Sequence, residues 1–469
     1  MRKGLIFACI TCLSACSMTP TYVRPVVDMP ASFKEASAMW QVVTEPEHFT
    51  SEDFWQSFQD PYLIELVQKV DAHNLQIAAA LARYDSAVAY LNLSEAGLSP
   101  QVSAAGSTNR NQQSIDRPLR SATQPNLYPS TTLGVQASYE IDFWGRIRSQ
   151  VKSASNLAEA TRHDIENVQL LLEAEVVNRY FDLRSYDSQL AIVQNNLLLY
   201  QKQVNIIQKR YQQGTVAGND IYRVKELFEN EHIKEKALQT KRAQLEHAIA
   251  LLIAEPASNF SIPKGNIDAI TIPKMAIDLS SRLLLRRPDI RSAEKRVEAA
   301  NELIGVAKAA YYPNFSLSGI FGFQNAGNDA LISTPTQFWS IGPNLFFMLF
   351  DGGTRDAGLK QAVAKNQEST AIYKNTVLAA IREIEDILVD TKNREESLVN
   401  INQSVTYSNK SYLIALSRYN NGIATYLEVV DAALQKSQSE LALCEYKAQL
   451  LNDHVLLLKG LGGYWQEGH

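Results

Sequence analysis

The chain has 469 residues, with 45 Lys and Arg against 50 Asp and Glu, a hydrophobic fraction of 45% and a charged fraction of 20%. That balance excludes the basic excess of a nucleic-acid binder and the composition of a disordered chain. No run of about 18 apolar residues occurs, so no membrane-spanning helix is expected, and any passage through a bilayer has to be made by strands of a closed barrel.

The first predicted element is a signal peptide over residues 1–15. Arg2 and Lys3 form a basic start, residues 4–13 an apolar stretch, and the small Ser14 and Ala15 precede Cys16. Leu13-Ser14-Ala15-Cys16 resembles a bacterial lipobox, which implies that Cys16 is the lipidation site and opens the mature chain. The alternative is an ordinary signal peptide with an incidental cysteine. Ser17 stands where an aspartate would favour inner-membrane retention in that lipoprotein class, which points to the outer membrane. Residues 16–60 read as a lipidated extended segment. Cys9 and Cys12 leave with the signal, so Cys16 and Cys444 are the only cysteines of the mature chain, and no intramolecular disulfide is expected. Cys444 lies in a helical pattern with Leu441, Leu443 and Ala448, as a small core residue and not a nucleophile.

The rest of the chain is one unit written twice, over 61–254 and 282–462, with a linker or equatorial segment over 255–281 and a tail over 463–469. At an offset of 213, Ile77 falls on Ile290, Ala80 on Ala293, Arg83 on Arg296, Pro100 on Pro313 and Gly106 on Gly319. At an offset of 208, Gly145 falls on Gly353, and Arg210, Tyr211 and Gly214 fall on Arg418, Tyr419 and Gly422. A period this long means two copies of a supersecondary unit, since solenoid periods are shorter.

Each copy reads in the same order. An alanine-rich helix over 61–97, matched by 288–310, leads into a β-hairpin. In the first hairpin Leu133, Val135, Ala137, Tyr139, Ile141 and Phe143 alternate with polar or small residues, the period of a strand with one apolar face. In the second, Phe315, Leu317, Phe321 and Phe323 share one face, and Trp339, Ile341, Leu345 and Phe347 lie on a further strand. These lengths suit membrane-spanning strands, although a soluble sandwich gives the same alternation. The polar segments 111–130 and 325–336 are the expected external loops. Then 146–213 and 359–421 run without Gly or Pro. As helices they reach on the order of 95–100 Å and need coiled-coil-like packing to bury their apolar stripes. Gly214 and Gly422 end them, and return helices follow over 220–254 and 426–461. Four strands cannot close a barrel, and open edges in lipid leave backbone groups unsatisfied, so oligomerisation is required; three copies give twelve strands with room for a lumen.

Leu284-Leu285-Arg286-Arg287-Pro288-Asp289-Ile290-Arg291-Ser292-Ala293-Glu294 resembles the signature of the lipoprotein outer-membrane factors of TolC type that serve resistance–nodulation–division efflux pumps. Pro20-Thr21-Tyr22-Val23-Arg24-Pro25, Tyr312-Pro313 and Phe350-Asp351-Gly352-Gly353 fit the same family, and the resemblance covers essentially the whole mature chain. It implies an α+β membrane protein: a homotrimer sharing a twelve-stranded outer-membrane β-barrel above a long coiled α-helical periplasmic barrel. It implies as partners a periplasmic adaptor (membrane fusion) protein, an inner-membrane efflux transporter and outer-membrane lipid. The function implied is a passive exit duct for small molecules, gated by an iris-like movement at the periplasmic helical tip; a type I secretion duct is the alternative within the same architecture.

The gate is placed by the same resemblance. Glu428 and Asp431 are three apart at the start of the second return helix and share one of its faces. In TolC-type channels carboxylates at the matching positions line the narrowest point, which implies an acidic ring sealed together with Leu427. A tyrosine matching Tyr419 bonds there to an aspartate matching Asp220. Ala424 departs from the pattern, standing where a family member has arginine. Read from the residues alone, these acids simply favour the helix dipole, and Asp220 reads as an N-cap. No catalytic motif, metal-ligand spacing or cofactor cradle is present: HExxH and the P-loop are missing, and Gly460, Gly462 and Gly463 read as a helix stop. A periplasmic coiled-coil scaffold lipoprotein and a lipid-anchored hydrolase are the rival classes, and no convergent polar site supports the second.

Overall fold

A computed structural model describes residues 17–29, 33–35, 55–118, 125–272, 286–325 and 330–463. The expected signal, Cys16, and parts of the 16–60 and 255–281 segments lie outside the described residues, as do Leu284 and Leu285. The elements in chain order are α1 (Pro61–His73), α2 (Leu75–Ala96), β1 (Gln101–Gln112), β2 (Leu127–Ile141), α3 (Arg146–Gln212), α4 (Gly218–Leu252), α5 (Pro288–Ala309), β3 (Asn314–Asn325), β4 (Gln337–Phe346), α6 (Thr354–Asn420) and α7 (Tyr426–Gly460). The chain divides into two compact units, one of Met1–Pro25, Arg83–Arg162 and Ser292–Tyr373, the other of Val26–Ala82, His163–Arg291 and Lys374–His469.

The single helix expected over 61–97 is two helices. Asn74 adopts an extended backbone at the junction, and its side chain accepts from Gln76 N at 2.7 Å while donating from Nδ2 to the Leu252 carbonyl at 2.6 Å. A buried asparagine that caps one helix and ties the break to α4 outweighs the helical pattern running through it.

The first unit holds one antiparallel sheet in the order β1-β2-β3-β4. Its register lines up the two side-chain periods. Val102 opposes Ala137, Val135 opposes Phe321, and Phe321 opposes Trp339, so most of the apolar residues of the four strands share one face, with Ile320, Phe338 and Phe346 on the other. Ser103 opposes Gln136, Ser138 opposes Ser318, and Ser316 opposes Asn344, so the other face is hydroxyl- and amide-rich. A one-residue slip in any ladder would mix the two faces. Beneath the sheet the Trp144 ring stacks on Tyr312 with centroids 4.6 Å apart, and its indole N–H donates to the Pro313 carbonyl at 2.8 Å. The N-terminal strap is fastened in this unit. Thr19 Oγ1 lies 2.9 Å from both Ser149 Oγ and Glu302 Oε2, Asn301 Nδ2 donates to the Pro20 carbonyl at 2.8 Å, and Arg24 pairs with Glu294. The strap lies so close to α5 that a Cβ on Gly305 would collide with Thr19.

The second unit is packed around Trp55, Phe58, Leu63, Tyr180, Phe181, Ile249, Ile253, Leu451 and Val455, all nearly fully buried. Two ionic networks hold its helices. The buried Asp187 on α3 accepts from Arg184 Nη1 (3.2 Å), Arg242 Nε (2.6 Å) and the Gly265 backbone N–H (3.0 Å). Both guanidinium groups then reach the segment after α4, donating at 2.6 Å to the carbonyls of Pro263 and Ile262. In the second network Arg287 of the arginine-pair motif forks onto Asp289 (3.1 and 2.9 Å), pairs with Glu383 of α6 (2.9 Å) and donates to the Gly460 carbonyl at the end of α7 (2.7 Å). Burial works against the charge of Glu383, but Lys459 and Arg287 hold its carboxyl below the ordinary value.

Removing Asp187 would leave the buried Arg184 without a carboxylate and Arg242 with Glu246 alone, at 3.3 Å. Asp187→Ala is expected to cost about 3–5 kcal/mol, the usual loss when one partner of a buried charge pair is deleted. Denaturant unfolding followed by circular dichroism measures it, and a loss below about 1 kcal/mol would mean that the segment after α4 is held by packing instead.

Candidate functional site: the two helical turns

The expected gate residues sit at the turns that join α3 to α4 and α6 to α7. Both turns close in the same way. Gly214 and Gly422 have φ of 75° and 73°, a conformation that glycine adopts at low cost after a helix end. Thr215 N donates to the Arg210 carbonyl and Ile423 N to the Arg418 carbonyl, each at 2.9 Å, so each turn satisfies a carbonyl of the helix it terminates.

Around these turns lies a small apolar cluster. Ile207, Ile221, Val224, Ala415, Tyr419, Tyr426, Val429 and Val430 are buried together, drawing on all four helices of the second unit that meet here. Tyr419 packs edge-on against Tyr426 at 5.2 Å, and the Arg210 guanidinium lies over the Tyr419 ring at 4.9 Å. The Tyr419 hydroxyl is buried without a hydrogen-bond partner. Burial pushes the Tyr426 phenol up, with Tyr412, Tyr200 and Tyr419 adding to the shift, so it stays protonated.

The polar candidates are on the outside of this cluster. Leu427, Glu428 and Asp431 are exposed on the first turns of α7. Glu428 is not free: its Oε2 lies 3.1 Å from Arg418 Nη1 across the turn. Asp431 has no ion pair among the described residues. Asp220 lies in the first turn of α4 and does not meet Tyr419, whose hydroxyl has no partner. Ala217, not Asp220, is the cap residue of α4, and it provides no side-chain cap. Sequence reasoning missed both arginine contacts, Arg210 on Tyr419 and Arg418 on Glu428. The signal was available, since the Arg-Tyr pair recurs at the 208 offset.

Other chemistry finds little footing. Among the described residues no group of three or more His, Cys, Asp and Glu could hold a metal ion, and no helix is long and apolar enough to cross a membrane. Burial pushes the Cys444 thiol up to about 11, which leaves it protonated and unreactive.

Comparison with known proteins places the chain among transport proteins of the outer membrane. The family model for outer membrane efflux proteins matches residues 66–255 and 279–463. The chain is 30% identical over 464 residues to outer membrane protein OprJ of Pseudomonas aeruginosa, covering 97% of this chain and 94% of that protein. It is 27% identical over 470 residues to the probable efflux pump outer membrane protein TtgC of Pseudomonas putida, covering 100% and 97%. Its fold is similar to that of the outer-membrane channel OprN, with a TM-score of 0.88 and 27% identity over 96% of this chain and 99% of that one. The chain therefore belongs to the outer membrane efflux protein family, as a transport conduit of the outer membrane and not an enzyme.

Proposed function

We propose that three copies of this chain close a twelve-stranded barrel in the outer membrane and form the exit duct of a tripartite efflux pump. The observation that carries this reading is the two-faced sheet. Its first and last strands, β1 and β4, each pair on one side only, with β2 and β3. Lipid does not tolerate such edges, and a neighbouring copy can supply the missing partner at both. The apolar face then meets lipid, and the hydroxyl-rich face lines the lumen. An inner-membrane transporter, through a periplasmic adaptor, delivers small molecules to this passive conduit; the efflux-pump relative supports the role of pump component.

The signal over 1–15, the lipid on Cys16 and the division into two repeats complete the reading. The lipid adds a second hold on a membrane already occupied by the barrel. The turns of the second unit form the gate. Leu427, Glu428 and Asp431 face the axis in three copies, and like charges gathered there attract cations. Tyr419 and Asp220 are the halves of a latch made on closure. The buried, unpartnered hydroxyl of Tyr419 supports a latch that is undone in the conformation described.

Native mass spectrometry of the detergent-extracted protein checks the assembly. Three chains per particle are expected, each heavier by its lipid, and Cys16→Ser removes the lipid mass while the trimer persists. A stable monomer refutes the shared barrel. The face assignment has its own test. Val135→Arg, on the apolar face, is expected to cost about 2–4 kcal/mol near the bilayer midplane, whereas Gln136→Arg is tolerated. Equal losses in a refolding titration into lipid would remove the distinction between a lipid face and a lumen face. For the gate, single-channel recording is decisive. Glu428→Ala with Asp431→Ala weakens cation preference, and Tyr419→Phe with Asp220→Ala raises the open conductance. Wild-type behaviour in both double variants would make these residues ordinary helix-end groups.

A further inference from the structure

The two turns are copies of each other, but their charges are not. At the offset of 208, Arg418 corresponds to Arg210, Glu428 to Asp220 and Asp431 to Arg223. In the first copy the arginine turns away from the acid: Arg210 lies over the Tyr419 ring. In the second copy the arginine crosses its own turn and pairs with Glu428 at 3.1 Å, both side chains being about half exposed. Three residues further along the same face, the first copy carries Arg223 and the second Asp431, which is exposed and has no ion pair among the described residues. The three positions therefore sum to +1 in the first copy and −1 in the second, and the −1 resides on one carboxylate.

We propose that Arg418 is a selectivity-determining residue: it is the resident counter-charge of Glu428, so that Asp431 alone sets the uncompensated negative charge of the gate. This rests on the reading that the second turn lines the pore. Two opposite charges 3.1 Å apart act on a passing ion as a dipole, whose field falls off faster with distance than that of a lone charge. An unpaired carboxylate acts at full strength, and in three copies the lone charges add. The chain lacks an arginine at Ala424. Arg418 places a cation beside the acids from the helix before the turn, leaving one acid of two neutralised. The polarity of the gate is then adjusted by which acid has an arginine within reach and not by how many acids the sequence contains.

The experiment is the reversal potential of the reconstituted full-length channel in planar bilayers under a potassium chloride gradient. A half-exposed pair contributes little to folding, so Arg418 variants assemble. Arg418→Gln moves the reversal potential further toward the potassium equilibrium value, because Glu428 is released. The double variant R418Q/E428Q returns it to the wild-type value, and the charge exchange R418E/E428R keeps it there. An R418Q channel with wild-type selectivity overturns the proposal, as does R418Q/E428Q behaving like E428Q alone. Asp431→Asn separates this failure from failure of the gate reading. If D431N loses cation preference while R418Q does not, only the role of Arg418 falls; if neither changes, the second turn does not line the pore and both fall.

Discussion

A strand that enters lipid must have every backbone N–H and C=O paired, and four antiparallel strands leave two edges that this chain does not pair by itself. Much of the sequence is an answer to that constraint. The strands are long enough to cross a bilayer, and their register gathers Val102, Val135, Phe321 and Trp339 on one face from β1 to β4. Trp144 on Tyr312 and Pro313 fixes the base of one hairpin against the start of the next. The proposed trimer meets that constraint by pairing the β1 edge of one copy with the β4 edge of the next.

The second unit solves a different problem with different means. Its helices are too long to be held by one apolar core, and charged groups do part of the fastening. Asp187 gathers two arginines that in turn hold carbonyls of the segment after α4, and Arg287 joins the start of α5 to α6 and to the last carbonyl of α7. Buried ion pairs of this kind add little net stability over an apolar replacement, but they tolerate no missing partner. They specify which helix meets which. The arginine-pair motif that marks the family in the sequence is thus, in its second arginine, a clamp on a helix end.

At the two turns a similar frame carries unequal charge. The same Gly-terminated turn appears twice, and the same Arg-Tyr pair precedes it. Around this shared frame one arginine lies on an aromatic ring and the other on a carboxylate. A few side chains that differ at matching positions give the second turn a net negative charge and the first a net positive one.

The sequence by itself determined the elements and their order. Period-two alternation in 132–143, the Gly- and Pro-free stretches before Gly214 and Gly422, and the repeat offsets are local or pairwise patterns, and they placed the long helices within a few residues of their observed ends. The break at Asn74 was not legible, because it depends on a carbonyl of Leu252 that lies 178 residues away in the chain. The candidate gate was legible as a set of residues, Leu427, Glu428, Asp431, Tyr419 and Asp220, and not as a set of contacts. Which acid is paired, and whether Tyr419 meets Asp220 or Arg210, depends on rotamers and helix packing that no spacing rule contains. Charge type and periodicity are written along the chain, but the partner of a charge is a matter of distance in three dimensions, and only the tertiary structure decided it.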